Sequence, residues 1–379
     1  MQGVKAIFFR NRARNPIDII KNELKKREKS GKKVPLTREE ARLLQEVRKK
    51  TAERNKNNVA RTQAYFDFYQ QHPEVHWAFL GHMVSRNGGW NMTDLKGELL
   101  MHLLTKQEKE SFFLFLERGN WLIFQDAYPQ FLLYEESKKR NEPFFYLCPY
   151  LNISLFMEVI WQYFWKKQDF AILTIALIIN EQNYLEKRVV QNTGFQKAVL
   201  NTPEFKLQEF FSFNQILFPY HKNDQVMLIG QTLKQFGSLT ERIQLGKRLY
   251  ALLFQDQERL RCVENWAARN PHTGSRKDYW PEIFHPIREG LPGKYQLHLK
   301  GCKLRPGASR IYSPYLENAW KNVEHLEVEQ GDWYENGLVA DMLDPYHEKV
   351  NGEIESEYCK TLERLELAAL AKKAMSLID

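Results

Sequence analysis

The sequence predicts an all-α protein, a mostly helical multi-helix bundle with at most a small β-hairpin in the C-terminal third. One observation is that helix-start signals recur along the chain, each followed by apolar residues at helical spacing. Another is that apolar and aromatic residues between 105 and 190 would cover nearly every side of their helices, which is typical of buried helices in a large bundle. With 43% hydrophobic residues among 379, the chain can form a sizeable core.

The first helices are indicated by their N-terminal residues. Asn15-Pro16 places a capping residue before a proline, and Gly31 is expected to end that helix. Thr37 and Glu40 make a capping box, and we expect the helix after it to continue as far as His72-Pro73. Four further helix starts follow the same two patterns: Thr105 with Glu108, Ser238 with Glu241, Thr202-Pro203 and Ser313-Pro314.

The last third of the chain changes in character. A patterned helix is predicted from Leu239 to about Ala268, and residues 271–314 are then rich in proline and glycine, which predicts long loops. Alternating residues at 295–299 and 326–328 suggest a small hairpin. We expect four regions in all. They are a basic helical arm (1–61), a helical core (62–270), a loop-rich segment packed on the core (271–345) and an acidic C-terminal helix (346–379).

The net charge of +8 is unevenly distributed. Residues 1–61 carry +12, residues 62–323 carry +5, and the acidic tail of residues 324–379 carries −9. The arm could bind nucleic acid or an anionic membrane, could be a solvated surface, or could rest on the acidic tail of the same or a neighbouring chain. All three interpretations stay open. The polyanion-binding candidates are Arg10, Arg12, Arg14, Lys25, Lys26, Arg27, Lys32 and Lys33.

Cysteine usage and hydropathy suit a cytoplasmic protein. Cys148, Cys262, Cys302 and Cys359 lie far apart and offer neither a zinc site nor a disulfide framework. The apolar residues before Arg10 are too few for a signal peptide, and the longest apolar run, 170–179, is about half of a membrane span. Phosphate-binding glycine loops, zinc-protease motifs and the Gly-x-Ser-x-Gly motif are absent from the sequence, so no cofactor or metal is predicted.

Residues 76–91 form the first of two polar runs. On a helix, His82 would share a face with Ser85 and Arg86, because residues three and four apart are neighbours. Gly88-Gly89 is expected to end that helix, and Thr93-Asp94 to open the next one. A histidine and an arginine beside a glycine turn could hold a carboxylate or a phosphate. The alternative is a helix end whose polar side chains bind backbone carbonyls.

Residues 272–281 form the second polar run. Its candidates are His272, Ser275, Arg276 and Asp278, a set usable for acid–base chemistry or anion binding. The alternative is structural: Ser275 would be an N-cap, with Asp278 reaching back to the Ser275 amide. A function would be favoured if both polar runs faced one cleft. Which interpretation holds cannot be decided from the spacing of the residues.

With both polar runs in view, the chain resembles the YppC-like family, bacterial proteins of unknown function. The resemblance covers roughly residues 50–345. It is carried by Asn58, Arg61, Thr62 and Tyr65, by His76-Trp77-Ala78 through Gly88-Gly89-Trp90, and by the stretch from His272 to Trp280. It implies a cytosolic bacterial protein, and it supplies no catalytic residues because the family carries no established activity.

Three functions are compatible with the sequence. The first is a helical interaction or scaffold protein whose basic arm contacts nucleic acid. The second is an enzyme or small-anion binder with a pocket formed by His82, Arg86, His272, Arg276 and Asp278. The third is a peripheral membrane protein that inserts Ile7, Phe8 and Phe9 beside the neighbouring arginines. We favour the first, because it requires no particular arrangement of distant residues, and leave open whether the protein is an enzyme.

Overall fold

A computed structural model of the protein is mostly helical and confirms the predicted fold class. It describes residues 15–30, 35–203, 205, 214–223, 225–289, 296–328 and 330–375. The α-helices are α1 (Pro16–Ser30), α2 (Arg38–Arg54), α3 (Asn58–Gln71), α4 (His76–Asp94), α5 (Lys106–Arg140), α6 (Leu155–Lys167), α7 (Phe170–Leu185), α8 (Leu239–Phe254), α9 (Gln257–Arg269), α10 (Leu316–Ala319) and α11 (Glu355–Met375). Shorter helical segments cover Leu100–His102, Phe145–Leu151, Glu186–Val190, Thr193–Phe195, Gln196–Leu200, Arg276–Asp278 and Gly337–Leu343.

The strands of the described ranges form small two-stranded sheets. They are β1 (Gln215–Lys222) with β2 (Gln225–Thr232), antiparallel; β3 (Phe284–His285) with β6 (Ile311–Tyr312), parallel; and β4 (Leu299–Lys300) with β5 (Lys303–Leu304), antiparallel. The expected hairpin between residues 295–299 and 326–328 is wrong. Leu299 pairs with Leu304 instead, and residues 326–328 lie in an irregular segment. The longest hairpin, β1–β2, lies upstream, where the apolar residues of β1 are consecutive and give no alternating signal.

Most of the expected helix starts are confirmed by their hydrogen bonds. The Thr37 hydroxyl accepts a hydrogen bond from the Glu40 amide at 3.2 Å, and the Glu40 carboxylate accepts one from the Thr37 amide at 2.6 Å. The same reciprocal pair joins Thr105 and Glu108. Two further caps are hydrogen bonds of the same kind. The Ile17 amide donates to the Asn15 side-chain oxygen, and the Glu241 amide donates to the Ser238 hydroxyl. Each cap satisfies amides that have no partner within the helix.

Two helices that the sequence predicts as continuous are interrupted. The helix expected to run from Thr37 to His72-Pro73 ends at Arg54, and Asn57 caps a new helix by accepting a hydrogen bond from the Ala60 amide at 3.0 Å. The helix expected from Leu239 to Ala268 likewise breaks at Asp256, which caps α9. The side chains of asparagine and aspartate accept hydrogen bonds from backbone amides and so compete with the helix. The spacing of apolar residues carries no information on this competition, so it does not reveal the two breaks.

Helix α4 passes through Gly88-Gly89 and ends after Asp94, so the expectation that these glycines end a helix is wrong. A Cβ atom on Gly89 would lie 2.3 Å from the Asn58 Oδ1 atom and 2.4 Å from the His272 Nε2 atom. The glycine is therefore required by close packing rather than by a turn. Thr93-Asp94 forms the end of α4 instead of opening the next helix.

The core lies between α3, α4, α5, α7 and α8 and is rich in aromatic side chains. Trp90, Trp161, Phe124 and Phe131 are fully buried. The β1–β2 hairpin packs against this core through Asn87 of α4, which donates to the Leu217 carbonyl at 2.9 Å and accepts from the Leu217 amide at 2.8 Å. A buried carboxamide thus replaces the missing strand neighbour at this position of β1.

Two of the four cysteines, Cys302 and Cys359, form a disulfide. This corrects the expectation that the cysteines offer no disulfide. Positive φ angles at Gly301 and Cys302 make a tight turn between β4 and β5 that places Cys302 against α11, on which Cys359 is buried. A separation of 57 residues gives no sign of this pairing in the sequence. Because disulfides are uncommon in reducing compartments, a cytoplasmic location stays a prediction.

None of the helices in the described ranges combines the length and the hydrophobicity that a membrane span requires. The division into four regions, with boundaries at 61, 270 and 345, stays a prediction as well. The helix start at Thr202-Pro203 is followed by residues that lie outside the described ranges.

Candidate functional site

The two polar runs are in direct contact in the folded chain. The first lies along α4, and the second surrounds the short helix Arg276–Asp278. The Trp90 ring N–H donates a hydrogen bond to the Asp278 Oδ2 atom at 3.2 Å, and the His272 Nδ1 atom lies 3.3 Å from the same oxygen. The fold therefore brings together residues that are 188 positions apart. A catalytic role for any of them stays a prediction.

His82 and Arg86 form a buried pair on α4. The Arg86 Nε atom donates to His82 Nε2 at 2.9 Å, so the proton of a neutral His82 lies on Nδ1, which donates to the Thr62 carbonyl at 2.8 Å. Burial, together with the Arg86 charge, holds the pKa of His82 well below its usual value. The Arg86 guanidinium also donates to the carbonyls of Ala267 and Asn270, at 3.2 and 2.6 Å. The pair therefore ties α4 to the end of α9.

His272 faces two different polar groups. Its Nε2 atom lies 2.9 Å from the Asn58 Oδ1 atom, and the Asn58 amide in turn donates to the Ser85 carbonyl at 2.9 Å. Burial lowers the pKa of His272, and Asp278 partly offsets this effect. The interactions connect Asp278 through His272 and Asn58 to Ser85.

Ser275 caps the short helix Arg276–Asp278, as predicted, by accepting a hydrogen bond from the Lys277 amide at 3.2 Å. The expected return contact from Asp278 to the Ser275 amide is wrong. Asp278 instead accepts from the amide and the hydroxyl of Thr273, at 3.0 and 2.5 Å. Ser313 does not start a helix either, since its hydroxyl accepts from the Arg276 amide at 2.9 Å. These contacts hold parts of the loop-rich segment together between Thr273 and Ser313.

Arg276 joins α4 to α11. Its Nε atom lies 2.9 and 2.8 Å from the two carboxylate oxygens of Asp94, and its Nη2 atom donates to Oδ2 at 2.6 Å. Its Nη1 atom donates to the hydroxyls of Tyr279 and Tyr358, at 2.7 and 2.9 Å. Charge-assisted contacts of this kind are among the strongest hydrogen bonds in proteins.

Two neighbouring cavities lie beside this network. The central cavity has a volume of about 260 Å³ and lies between α3, α4, α5, α7, α8 and β1. The lateral cavity, of about 110 Å³, is lined by Asp94, Arg276 and Tyr358 among others. The two cavities share a wall formed by Asn91, Phe115, Leu116, Asn214, Gln215 and Phe236.

Of the predicted site residues, Arg276 lines the lateral cavity. Within the part of the chain that the structure describes, His82, Arg86, His272, Ser275 and Asp278 line neither cavity. They lie behind the cavity wall, to which Ser85 belongs.

Glu181 is the acidic side chain of the central cavity. It follows the apolar part of α7, and burial raises its pKa to about 8. The Gln182 side-chain amide donates to its Oε1 atom at 3.0 Å, and both Gln182 and the Trp77 ring N–H lower the pKa and partly offset the effect of burial. Among the described residues, no lysine, arginine or histidine forms an ion pair with Glu181. This carboxyl group can therefore donate or accept a proton near neutral pH.

Tyr65 also lines this cavity. Tyr65 is 3% exposed, and its hydroxyl has no hydrogen-bond partner among the described atoms. Buried polar groups without partners are rare in folded proteins, and they often mark the place of an ordered water or a ligand. Arg242, a positively charged residue that lines the central cavity, is already bound to Glu186 and to Gln182.

These cavity residues were not found from the sequence. Tyr65 contributes to the family resemblance, but no role was assigned to it. Glu181 comes two residues after the apolar run 170–179, on a helix that is apolar on nearly every side. Burying a carboxylate on such a helix costs free energy, so an acidic residue just after a long apolar run is the feature of the sequence that indicates a special role for Glu181. Within the described ranges there is no group of three or more potential metal ligands.

The basic arm is described only in part, because Arg10, Arg12, Arg14, Lys32 and Lys33 lie outside the described residues, as do Ile7, Phe8 and Phe9. Helix α1 packs against α6 and the segment Gly337–Leu343. Lys21 pairs with Asp341 of the acidic tail, and Arg27 pairs with Glu158. Lys25 and Lys26 are exposed. One part of the arm therefore contacts the acidic tail of the same chain.

Comparison with known proteins agrees with the resemblance noted in the sequence. Residues 53–364 match the family model described as a protein of unknown function, DUF2515. The chain is 43% identical over 237 residues to the uncharacterized protein YppC of Bacillus subtilis (strain 168), a match that covers 62% of this chain and 73% of that protein. No solved structure matches the chain. Because the family model spans most of the sequence, the protein belongs to the DUF2515 family.

Proposed function

We propose that the protein binds a small, largely apolar molecule in the central cavity. The observation that carries this proposal is Tyr65, which lines the cavity and whose buried hydroxyl has no partner among the described atoms. Leaving such a group unpaired costs about 1–3 kcal/mol, and a ligand that hydrogen-bonds to it would recover that free energy. Apolar walls with a few converging polar groups are typical of small-molecule sites.

The proposal keeps the predicted small-molecule site but changes the residues that contact the ligand. Glu181, Tyr65 and Arg242 line the central cavity. His82, Arg86, His272 and Asp278 would support the wall from behind, because their hydrogen bonds run to other protein groups. A further role of Glu181 as a general acid or base would agree with its raised pKa.

A cavity-filling substitution tests the proposal. A Cβ atom on Gly119, which lines the central cavity, would have no heavy atom within 4 Å. Gly119→Leu should therefore fill the cavity without a clash at Cβ, whereas Gly119→Ala adds one methyl group and serves as the matched control. The measurement is the fluorescence of N-phenyl-1-naphthylamine, an uncharged apolar probe, titrated with each folded protein.

We expect the wild type and Gly119→Ala to bind the probe, and Gly119→Leu to bind it at least about tenfold more weakly. Circular dichroism would establish that all three proteins are folded. If the wild type did not bind the probe, or if Gly119→Leu bound it equally well, the proposal would be wrong.

The second candidate function is nucleic-acid contact through the basic arm. It is supported by α2, where Arg42, Lys49 and Lys50 are exposed and have no ion pair among the described residues, and by Lys25 of α1, which is exposed as well. If about six phosphates were neutralised, the logarithm of the affinity would fall with the logarithm of the salt concentration with a slope near −5. A fluorescence titration of labelled duplex DNA at two salt concentrations tests this. Absence of binding at low salt would exclude it.

A further inference from the structure

We propose that the ligand of the central cavity carries a protonated amine, which the Glu181 carboxylate binds. This inference rests on the proposed small-molecule function and specifies the chemical class of its ligand. It is based on the charges around both cavities, on the aromatic side chains beside Glu181, and on the unpartnered Tyr65 hydroxyl.

Each charged side chain that lines the cavities, except Glu181, has at ion-pair distance a side chain that carries the opposite charge or, in the case of His102, gains it only on protonation. Arg242 pairs with Glu186, and Arg276 pairs with Asp94 at 2.6 Å. The Glu98 carboxylate lies 3.7 Å from the His102 ring. In the described ranges, Glu181 alone among these cavity-lining groups has no lysine, arginine or histidine at ion-pair distance. A carboxylate that is half-buried in a largely apolar cavity is stabilised by a cation, and a ligand could supply it.

Aromatic side chains line the same cavity as Glu181. The Trp77 ring N–H lowers the pKa of Glu181, and the Trp77 ring meets that of Tyr65 edge to face, with centroids 5.4 Å apart. Aromatic rings attract ammonium groups, and tryptophan does so most strongly. The Tyr65 hydroxyl oxygen can accept a hydrogen bond from an ammonium N–H. Glu181, Tyr65 and Trp77 together provide a negative charge, an acceptor and two aromatic rings.

Other ligand charges fit the cavity less well. An anionic ligand would be repelled by Glu181 once that carboxyl group is ionised, and Arg242 is already occupied by Glu186, Gln182 and the Phe236 carbonyl. A metal ion would require several ligating side chains, and no group of three is present among the residues that the structure describes. The apolar lining favours an amine attached to an aromatic or aliphatic body rather than a small hydrated cation.

Competition with the fluorescent probe tests the charge preference. The competitors are 2-phenylethylamine, 2-phenylethanol and 3-phenylpropanoate, which have similar bodies and are respectively cationic, neutral and anionic at pH 8.5, where Glu181, with a pKa of about 8, is mostly ionised. We expect the amine to displace N-phenyl-1-naphthylamine from the wild type at a concentration roughly tenfold lower than the alcohol, as a charge-assisted hydrogen bond would give. The anion should be the weakest competitor.

Glu181→Gln removes the charge and keeps the shape of the side chain. It should still bind the probe but should lose the preference for the amine over the alcohol. Glu335→Gln, which changes an exposed carboxylate paired with Lys187, should keep that preference. The inference would be overturned if the probe bound and the amine had no advantage in the wild type, or if Glu181→Gln retained it. Failure of the probe to bind the wild type would instead overturn the small-molecule function itself.

Discussion

The His272 Nε2 atom lies 2.9 Å from the Asn58 Oδ1 atom, although the two residues are 214 positions apart in the sequence. Gly89 makes this contact possible, because any Cβ atom at position 89 would lie within 2.5 Å of both atoms. The hydrogen bond joins the loop-rich segment to α3 directly across α4. It is therefore sensitive to the size of one residue on the helix between them.

Gly89→Ala should destabilise the protein by about 2–3 kcal/mol, because its methyl group must displace His272 or Asn58 from their hydrogen bond. Gly119→Ala is the matched control on α5, where the added methyl meets open space. There the better helix propensity of alanine should increase stability by up to about 1 kcal/mol. Urea unfolding of both variants measures these opposite effects. Equal stability of the two variants would contradict the packing role of Gly89.

Asp94→Asn should cost about 3 kcal/mol, because it leaves the largely buried guanidinium of Arg276 without its anion. The control is Glu335→Gln, whose carboxylate and its partner Lys187 are both more than half exposed. Solvent screens that ion pair, so the free energy of unfolding of Glu335→Gln should differ from that of the wild type by no more than about 0.5 kcal/mol. The free energies of unfolding of the two variants should therefore differ clearly. Similar values would mean that the Arg276–Asp94 pair contributes little.

Tyr65→Phe should make the ligand-free protein more stable than the wild type, by up to about 1–3 kcal/mol, because it removes a buried hydroxyl that has no partner among the described atoms. Tyr134→Phe is a matched comparison, since the buried Tyr134 hydroxyl donates to the Glu74 carboxylate at 2.8 Å. Its loss should cost about 1–2 kcal/mol. Thermal unfolding without added ligand separates the two. A large loss in Tyr65→Phe would reveal a structural partner for that hydroxyl.

The fold class follows from local features that the sequence displays. Caps such as Thr37 with Glu40 depend on residues three positions apart, so they can be identified without the tertiary structure. The role of Gly89 cannot be identified in this way, because glycine suits both a turn and a close contact. The two atoms that approach Gly89 belong to Asn58 and His272, which are far away in the chain. Long-range packing decides between these uses of glycine.

The candidate site was predictable only in part. The two polar runs are in direct contact, whereas the condition set from the sequence is that both face one cleft, and of their candidate site residues Arg276 lines a cavity in the described part of the chain. The cavity itself was not predictable, because Glu181 and Tyr65 lie on helices whose apolar pattern indicates only burial. The space between packed helices depends on their relative positions, which periodicity does not encode.

The Cys302–Cys359 disulfide predicts a specific labelling pattern. Alkylation of the denatured, unreduced protein should modify two cysteines, Cys148 and Cys262, whereas all four should react after reduction. Mass spectrometry counts the added groups. Because the bond closes a loop of 57 residues, reduction should lower the free energy of unfolding by about 4 kcal/mol. Cys262→Ser is the control that should leave the pair intact, and four reactive cysteines before reduction would exclude the disulfide.

The buried carboxyl group of Asp126 should make stability depend on pH. Burial raises its pKa to about 7 in the folded protein, although hydrogen bonds from Asn180 and Gln130 to one oxygen oppose the shift. The unfolded chain has a pKa near 3.9, so it releases the proton at lower pH than the folded protein does. The folded state is therefore favoured most below about pH 4, and this advantage is lost as the pH rises towards 7 and beyond.

Asp126→Asn removes the titration and keeps an oxygen for the two donors. Between pH 5 and pH 8, the wild type should lose roughly 2–3 kcal/mol of unfolding free energy relative to this variant. Glu181, with a pKa raised to about 8, adds a loss of the same sign to both proteins, and only the smaller part of its shift that comes from the Asp126 charge differs between them. Urea unfolding at several pH values provides the measurement. Parallel pH profiles for the two proteins would show that Asp126 titrates near its ordinary pKa and that water or a cation reaches its carboxylate.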